Sequence, residues 1–186
     1  MVWLKKVMWL IKISMIGIAE GVLNILPEGT YGDLARGQLL KIQVGICGRK
    51  LRVSRNVKVL NAKGMVIGDN VYIGYGTWMN AQFGIEIGNN TMFGPYVIIA
   101  SGNHTFTHES MSFYGESKGA LVAIGSGCWL GGGAVVTSAA KVGNCCLVAA
   151  NSVISKNIPD NSKVVGCNKI ISSVFDSDTT PTGGGN

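Results

Sequence analysis

The chain's two histidines, His104 and His108, both fall in the stretch SGNHTFTHESMSFYGESKGALVA, between Ile99 and Ile124. Two of the chain's ten carboxylates, Glu109 and Glu116, share it. An imidazole with a pKa near ~6.5 takes and returns a proton at neutral pH, which suits a group that must be deprotonated before it attacks. Such a base is oriented through its other ring nitrogen, by Glu109, Glu116 or a backbone carbonyl. The plainer reading is a histidine that bonds its own loop. Other chemistries find less support. There is no CxxC pair, and two histidines fall short of a three-histidine metal set. Cys145 is a weaker candidate, as a nucleophile.

What carries this stretch is a repeat. In IGSGCWLGGGAVVTSAAKVGNCCLVAANSVISKNIP, residues Ile124, Leu130, Val136, Val142, Val148 and Ile154 recur every six positions. Four positions after each of the first five stands a small side chain: Cys128, Ala134, Ala140, Cys146 or Ser152. A helix repeats at three and four, and a strand alternates in twos. Six residues make a short extended segment plus a corner, so the period predicts a hexapeptide β-solenoid. Upstream, Val53, Val59, Ile67, Ile73 and Met79 keep the register around an insertion between Leu60 and Met65. After a second insertion Ile87, Phe93 and Ile99 resume it, with Val71, Thr77, Thr91 and Val97 in the small positions. The stretch with the histidines is then a long excursion from a rigid scaffold, where functional groups are commonly carried.

Composition agrees with a packed solenoid. The 186 residues include 27 glycines and 14% charged residues, with a mean hydropathy of +0.31. That apolar content excludes disorder, and the glycines read as corners. A net charge of +6 fits a phosphate-bearing ligand or an anionic surface, and equally an ordinary soluble enzyme. Basic clusters without interleaved aromatics argue against nucleic acid. Cys128 and Cys146 occupy small interior positions. Five cysteines without a paired framework point to a reducing, cytoplasmic compartment.

The run SGNHTF, the loop after it, CWLGGGAVV and AANSVISKNIP together resemble the hexapeptide-repeat sugar O-acetyltransferases. Galactoside and maltose acetyltransferases belong to this family, as do enzymes that modify capsule, O-antigen or exopolysaccharide sugars. The resemblance covers roughly Leu51 to Ile171. It implies a left-handed β-helix and a homotrimer. Acetyl-CoA, the acyl-donor substrate, would lie in a cleft between neighbouring solenoids. It also implies direct transfer, with no metal and no covalent acetyl-enzyme. By the same resemblance His104 is the general base, and the Gly132 amide is the oxyanion donor. Trp129, Ala150, Ser155 and Lys156 line the cofactor, and Lys169 matches more weakly. Asn80 faces the acceptor sugar, and Glu109 is placed on the acceptor side. Each has a bland alternative: corner geometry for Gly132 and Asn80, packing for Trp129, solvated charge for Lys156.

The expected organisation is an N-terminal apolar, helical region (1–50), a solenoid (51–171, loop 101–122) and a disordered tail (172–186). Residues Met1 to Leu26 are strongly apolar, but Lys5, Lys6, Lys12, Glu20 and Asn24 interrupt them, so no unbroken span of membrane length is expected. A signal peptide is opposed by Lys12 and by the lack of an A-x-A site. Two readings stay open: a helix lying on a membrane, at the inner face, or one packing on the solenoid or another subunit. Glu28 to Gln43 reads as polar and turn-rich. Rival functions are N-acetylation of an amino nucleotide-sugar and a non-catalytic trimeric scaffold. A γ-class carbonic anhydrase lacks a third histidine, and the N-terminal region is short for a serine acetyltransferase. Ice binding lacks a threonine ladder.

Overall fold

The computed structural model describes residues 2–105 and 116–173. From Ile46 onward the chain winds as a parallel β-helix of about five turns, each built from three short strands. The first sheet stacks Ile46–Cys47, Met65–Ile67, Ile85–Ile87, Val122–Ile124 and Lys141–Val142. The second stacks Arg52–Val53, Tyr72–Ile73, Met92–Phe93, Trp129–Leu130, Leu147–Val148 and Ser162–Val165. The third stacks Lys58–Leu60, Trp78–Asn80, Ile98–Ala100, Val135–Val136 and Val153–Ile154. Eighteen residues, or three hexads, separate Trp129 from its partner Leu147 one coil on. Lys169–Ser173 closes the stack as an antiparallel strand on Ser162–Val165. The expected tail begins at Ser172, and residues 174–186 lie outside the described residues.

The hexad explains the core. All six openers from Ile124 to Ile154 are buried, and so are the five small residues between them. Val59 is only half-buried, because it lies in the first coil, where the interior opens toward the helices. Cys128 and Cys146 donate their thiols to the carbonyls of Gly143 (3.0 Å) and Pro159 (3.2 Å). Burial pushes the Cys128 thiol up to about 12, so it stays protonated. Burial also raises Cys146. Both are packing groups. The insertion after Leu60 is a single 3-10 turn, Ala62–Gly64.

The corner between the first and second sheets is closed by side chains. At each coil a residue precedes one in the left-handed region, such as Asn70, Asn90, Gly127 or Cys145, and presents an amide N–H along the stack. The next coil caps it. Arg49 donates to Asp69 Oδ1 (2.7 Å), Asp69 to Asn89 Oδ1 (2.7 Å) and Asn89 to Ser126 Oγ (3.0 Å). Ser126 donates to Asn144 Oδ1 (2.9 Å), and Asn144 to Asp160 Oδ1 (2.8 Å).

Two helices precede the solenoid: α1 (Val2–Ile25) and α2 (Thr30–Lys41). The turn-rich reading of 28–43 is corrected here, because α2 contains Gly32 and Gly37 within a regular helix. Packing overrides their poor helix propensity. A side chain on Gly32 would strike the Pro27 carbonyl, and one on Gly37 the Leu51 carbonyl. Arg36 clasps the assembly from a buried position. It pairs with Asp33 (2.6 Å) and donates to the carbonyls of Val53 (2.9 Å), Leu23 (3.0 Å) and Leu26 (3.1 Å). It thereby satisfies the carbonyls at the end of α1 and ties both helices to the second sheet. The lysines interrupt the apolar text of α1 but not its helix. On length and composition Trp3–Ile25 is long and apolar enough to cross a membrane, which corrects the earlier expectation.

Candidate active site

The corner between the second and third sheets has the same backbone as the first corner but different side chains. Its column reads Arg55, Tyr75, Pro95, Gly132, Ala150, each followed by a residue in the left-handed region: Asn56, Gly76, Tyr96, Gly133, Asn151. Carbonyls of this column accept in register. Tyr96 donates to Tyr75 O (2.7 Å), Gly133 to Pro95 O (2.9 Å) and Asn151 to Gly132 O (2.9 Å). The amides do not find partners. Beneath Gly132 stands Ala150, and beneath Ala150 the chain passes Gly166, neither with a side-chain acceptor. Among the described residues the Gly132 and Ala150 amides donate to no group. Adjacent strands lie ~4.8 Å apart, so these amides form a short column of free donors. Gly94 keeps one of them open, since a Cβ there would sit 2.6 Å from the Gly132 nitrogen.

Trp129 lies three residues before Gly132, flanked on its sheet by Met92 and Leu147. Its neighbour Leu130 is buried while Trp129 is 49% exposed, so the indole stands outside the solenoid beside the free amides. Farther along the same coils Ser155 is held by Asn168. The Ser155 amide donates to Asn168 Oδ1 (2.8 Å), and Asn168 Nδ2 donates to Ser155 Oγ (2.9 Å). Lys156 and Lys169 are both exposed. The sequence reading missed Asn168. Its signal is an asparagine in a left-handed corner conformation, a common site for a side chain that bonds nearby backbone.

The base candidate stands elsewhere. His104 ends the strand Gly102–His104, which pairs antiparallel with Ser117–Gly119 and sets His104 opposite Ser117. Its side chain is exposed, and Thr105 Oγ1 beside it donates to the Glu116 carbonyl (2.7 Å). Of the proposed orienting groups, Glu116 takes that bond at its backbone carbonyl and is itself exposed. Glu109, like His108, lies outside the described residues. Buried Ser101 roots the hairpin: it donates to Asn80 O (3.0 Å) and accepts from the Phe83 amide (2.9 Å). Ser101 was also missed by sequence, because it reads as one more small residue at a strand end. Through it the structure joins Asn80 to the root of the His104 hairpin. Asn80 accepts at Oδ1 from Asn61 Nδ2 (2.7 Å) and from the Gln82 amide (3.2 Å).

These groups form two sets. Asn80 and the hairpin of His104 sit at the end of the third-sheet strands, Gly132 and Ala150 at their beginning, with Trp129 on the adjoining second sheet. The intervening face is about five residues wide, on the order of 15 Å at strand spacing. That is far beyond the reach of one proton transfer. A single chain therefore holds the two candidate sets apart.

No family model matches the chain. It is 31% identical over 105 residues to the galactoside O-acetyltransferase of Lactococcus lactis subsp. lactis (strain IL1403), covering 53% of this chain. The chain spans only half the length of that relative. The crystal structure of a maltose O-acetyltransferase from Clostridium difficile 630 superposes with a TM-score of 0.74 at 26% identity, covering 88% of this chain and 86% of that one. A hexapeptide-repeat acetyltransferase of Vibrio cholerae O1 biovar eltor, solved with acetyl coenzyme A, superposes with a TM-score of 0.72 at 23% identity. It covers 89% of this chain and 90% of its own. The expected left-handed β-helix is the fold that these structures share with the chain.

Proposed function

From the chain's similarity to hexapeptide-repeat acetyltransferases, we propose an enzyme that moves an acetyl group from acetyl-CoA directly to a saccharide hydroxyl. The observation that carries this reading is the column of free amides at Gly132 and Ala150, with Trp129 exposed beside it. An amide that lacks a partner in the folded chain is preorganised for a developing oxyanion. His104 Nε2 or Nδ1 takes the hydroxyl proton as the oxygen attacks the thioester carbonyl. The tetrahedral oxyanion accepts from the Gly132 N–H. As it collapses the carbon–sulfur bond breaks, and His104 returns the proton to the departing thiolate. Ala150 bonds the pantetheine arm and Trp129 covers it. Ser155, Lys156 and Lys169 meet the nucleotide phosphates, and Asn80 and Glu109 hold the sugar.

The separation of His104 from Gly132 within one chain supports a homotrimer, in which one copy's hairpin meets the next copy's corner. The acceptor belongs to surface polysaccharide biosynthesis, and the enzyme works in the cytoplasm. The test is transfer from labelled acetyl-CoA to a panel of saccharides, read by mass so that oxygen and nitrogen products are told apart. His104→Ala is expected to lose on the order of a hundred- to ten-thousandfold in kcat/KM. Equal activity in both proteins moves the base elsewhere, and N-acetyl product makes the enzyme an amino-sugar acetyltransferase. Absence of acetyl-CoA binding favours a trimeric scaffold.

A further inference from the structure

Helix α1 divides lengthwise into two unlike halves. On one side Leu4, Met8, Ile11, Met15, Ile18, Val22 and Ile25 recur at alternating steps of four and three, and each is more than half exposed. Lys5 and Lys12 border this stripe, Lys12 lining one groove with Met8, Ile11 and Met15, and Lys6, Glu20 and Asn24 lie on the far side. Among the described residues the polar contacts of α1 with the rest of the protein lie near the C-terminal end of the helix. Glu20 pairs with Lys58 (3.5 Å), Asn24 Oδ1 accepts from the Asn56 amide (3.1 Å), and Arg36 holds the carbonyls of Leu23 and Leu26. Upstream of Glu20 the helix carries three lysines and no acid.

We propose that α1 is an in-plane anchor that sinks its apolar side into an anionic lipid surface, with Lys5, Lys6 and Lys12 among the headgroups. The stripe supplies apolar burial, and the lysines supply charge complementarity. Two alternatives fit less well. A coiled coil with other copies would cover the stripe but bring three lysines per copy together with no acid upstream of Glu20 to pair them, and would leave Trp9 (60% exposed) in water. Next to headgroups a tryptophan is well placed. A transmembrane span over Trp3–Ile25 would have to take Glu20 and Asn24 from their partners Lys58 and Asn56. It would also put Lys12 at mid-bilayer. An apolar groove between Met8, Met15 and Ala19 of α1 and Leu39 and Ile42 of α2 continues the same surface onto the second helix.

The full chain is floated with vesicles of equal phosphatidylcholine and phosphatidylglycerol, and with phosphatidylcholine alone. Flotation is expected on the first and largely lost on the second. Lys5, Lys6 and Lys12 changed together to Gln should weaken partitioning on the order of a hundredfold. Ile11→Glu with Ile18→Glu should abolish it while the solenoid keeps its circular dichroism. An alkaline carbonate wash should release the bound protein. Failure to float overturns the proposal, as does flotation indifferent to lipid charge. Resistance to carbonate would make α1 a span. A lipid-free oligomer that dissociates in the double Glu variant would make the stripe a seam between copies.

Discussion

Two corners of this solenoid share one backbone and differ in what the next coil places beneath each amide. Between the first and second sheets the column Asp69, Asn89, Ser126, Asn144, Asp160 supplies a short acceptor at every step, and each N–H is consumed. Between the second and third sheets the column Tyr75, Pro95, Gly132, Ala150 supplies none. An unpaired N–H costs free energy unless water or a ligand takes it, so a corner left open forgoes stability the fold can otherwise obtain. The first corner spends its donors on stability. The second leaves them free among the described residues, near the exposed indole of Trp129, where the proposed acetyl donor would meet them. A binding edge can thus arise without any change of fold, simply by withholding caps.

The largest effect should come from removing one free amide. Gly132→Pro deletes the N–H at a position whose equivalent one coil above is Pro95. Gly132→Ala adds a Cβ 3.2 Å from the Pro95 carbonyl but keeps the amide, and so controls for crowding. If this amide stabilises the oxyanion, the proline variant should lose about a hundred- to a thousandfold in kcat, and the alanine variant far less. Equal losses would assign the defect to crowding and return Gly132 to corner geometry.

A smaller effect should follow from converting the open corner into a closed one. Ala150 stands one coil below Gly132 just as Asn144 stands one coil below Ser126, eighteen residues on in both cases. Ala150→Asn should therefore place a carbonyl oxygen on the Gly132 amide. The expected result is a gain of roughly 0.5–1.5 kcal/mol in stability, the usual net value of one hydrogen bond, with a clear loss of acetyl transfer. Thermal melting and kinetics on the same preparation test it. Greater stability at full activity would show that the free amide is not used.

Much of this contrast is legible in the sequence. The openers and small positions of the hexad name the buried residues, because a solenoid interior permits one side-chain pattern per face. The free corner is legible too once the register is known, since Gly132 and Ala150 cannot cap. What the repeat does not contain is everything off the solenoid. Arg36 and Asp33 are ordinary charges in the text, and only the close approach of the Pro27 and Leu51 carbonyls shows why Gly32 and Gly37 stand inside a helix. Asn168 reaches Ser155 across thirteen residues through an irregular closing turn. Ser101 matters because of what lies beside it, Asn80 and Phe83, and that comes from two neighbouring coils.

The smallest expected effect lies at the closed corner, where the carboxylate of Asp69 differs from the neutral caps Asn89, Ser126 and Asn144 that follow it. Asp69 accepts from the Arg49 amide and from its guanidinium (2.9 Å). The backbone bond first and the side-chain bond second hold its carboxyl below the ordinary carboxylate range. A group whose pKa is lowered by folding contributes stability above its unfolded value and loses it as pH falls through the lowered one. That contribution should be constant from neutral pH down to about 4, the unfolded value for aspartate, and fade below it. Asp69→Asn keeps a cap of the kind Asn89 and Asn144 provide but does not titrate. The gap between the melting temperatures of the two proteins should therefore be small at neutral pH and shrink only under acid conditions. The pair is exposed and solvent-screened, so salt should narrow the same gap. A gap that persists unchanged through acid would mean that geometry, and not the charge of Asp69, closes this corner.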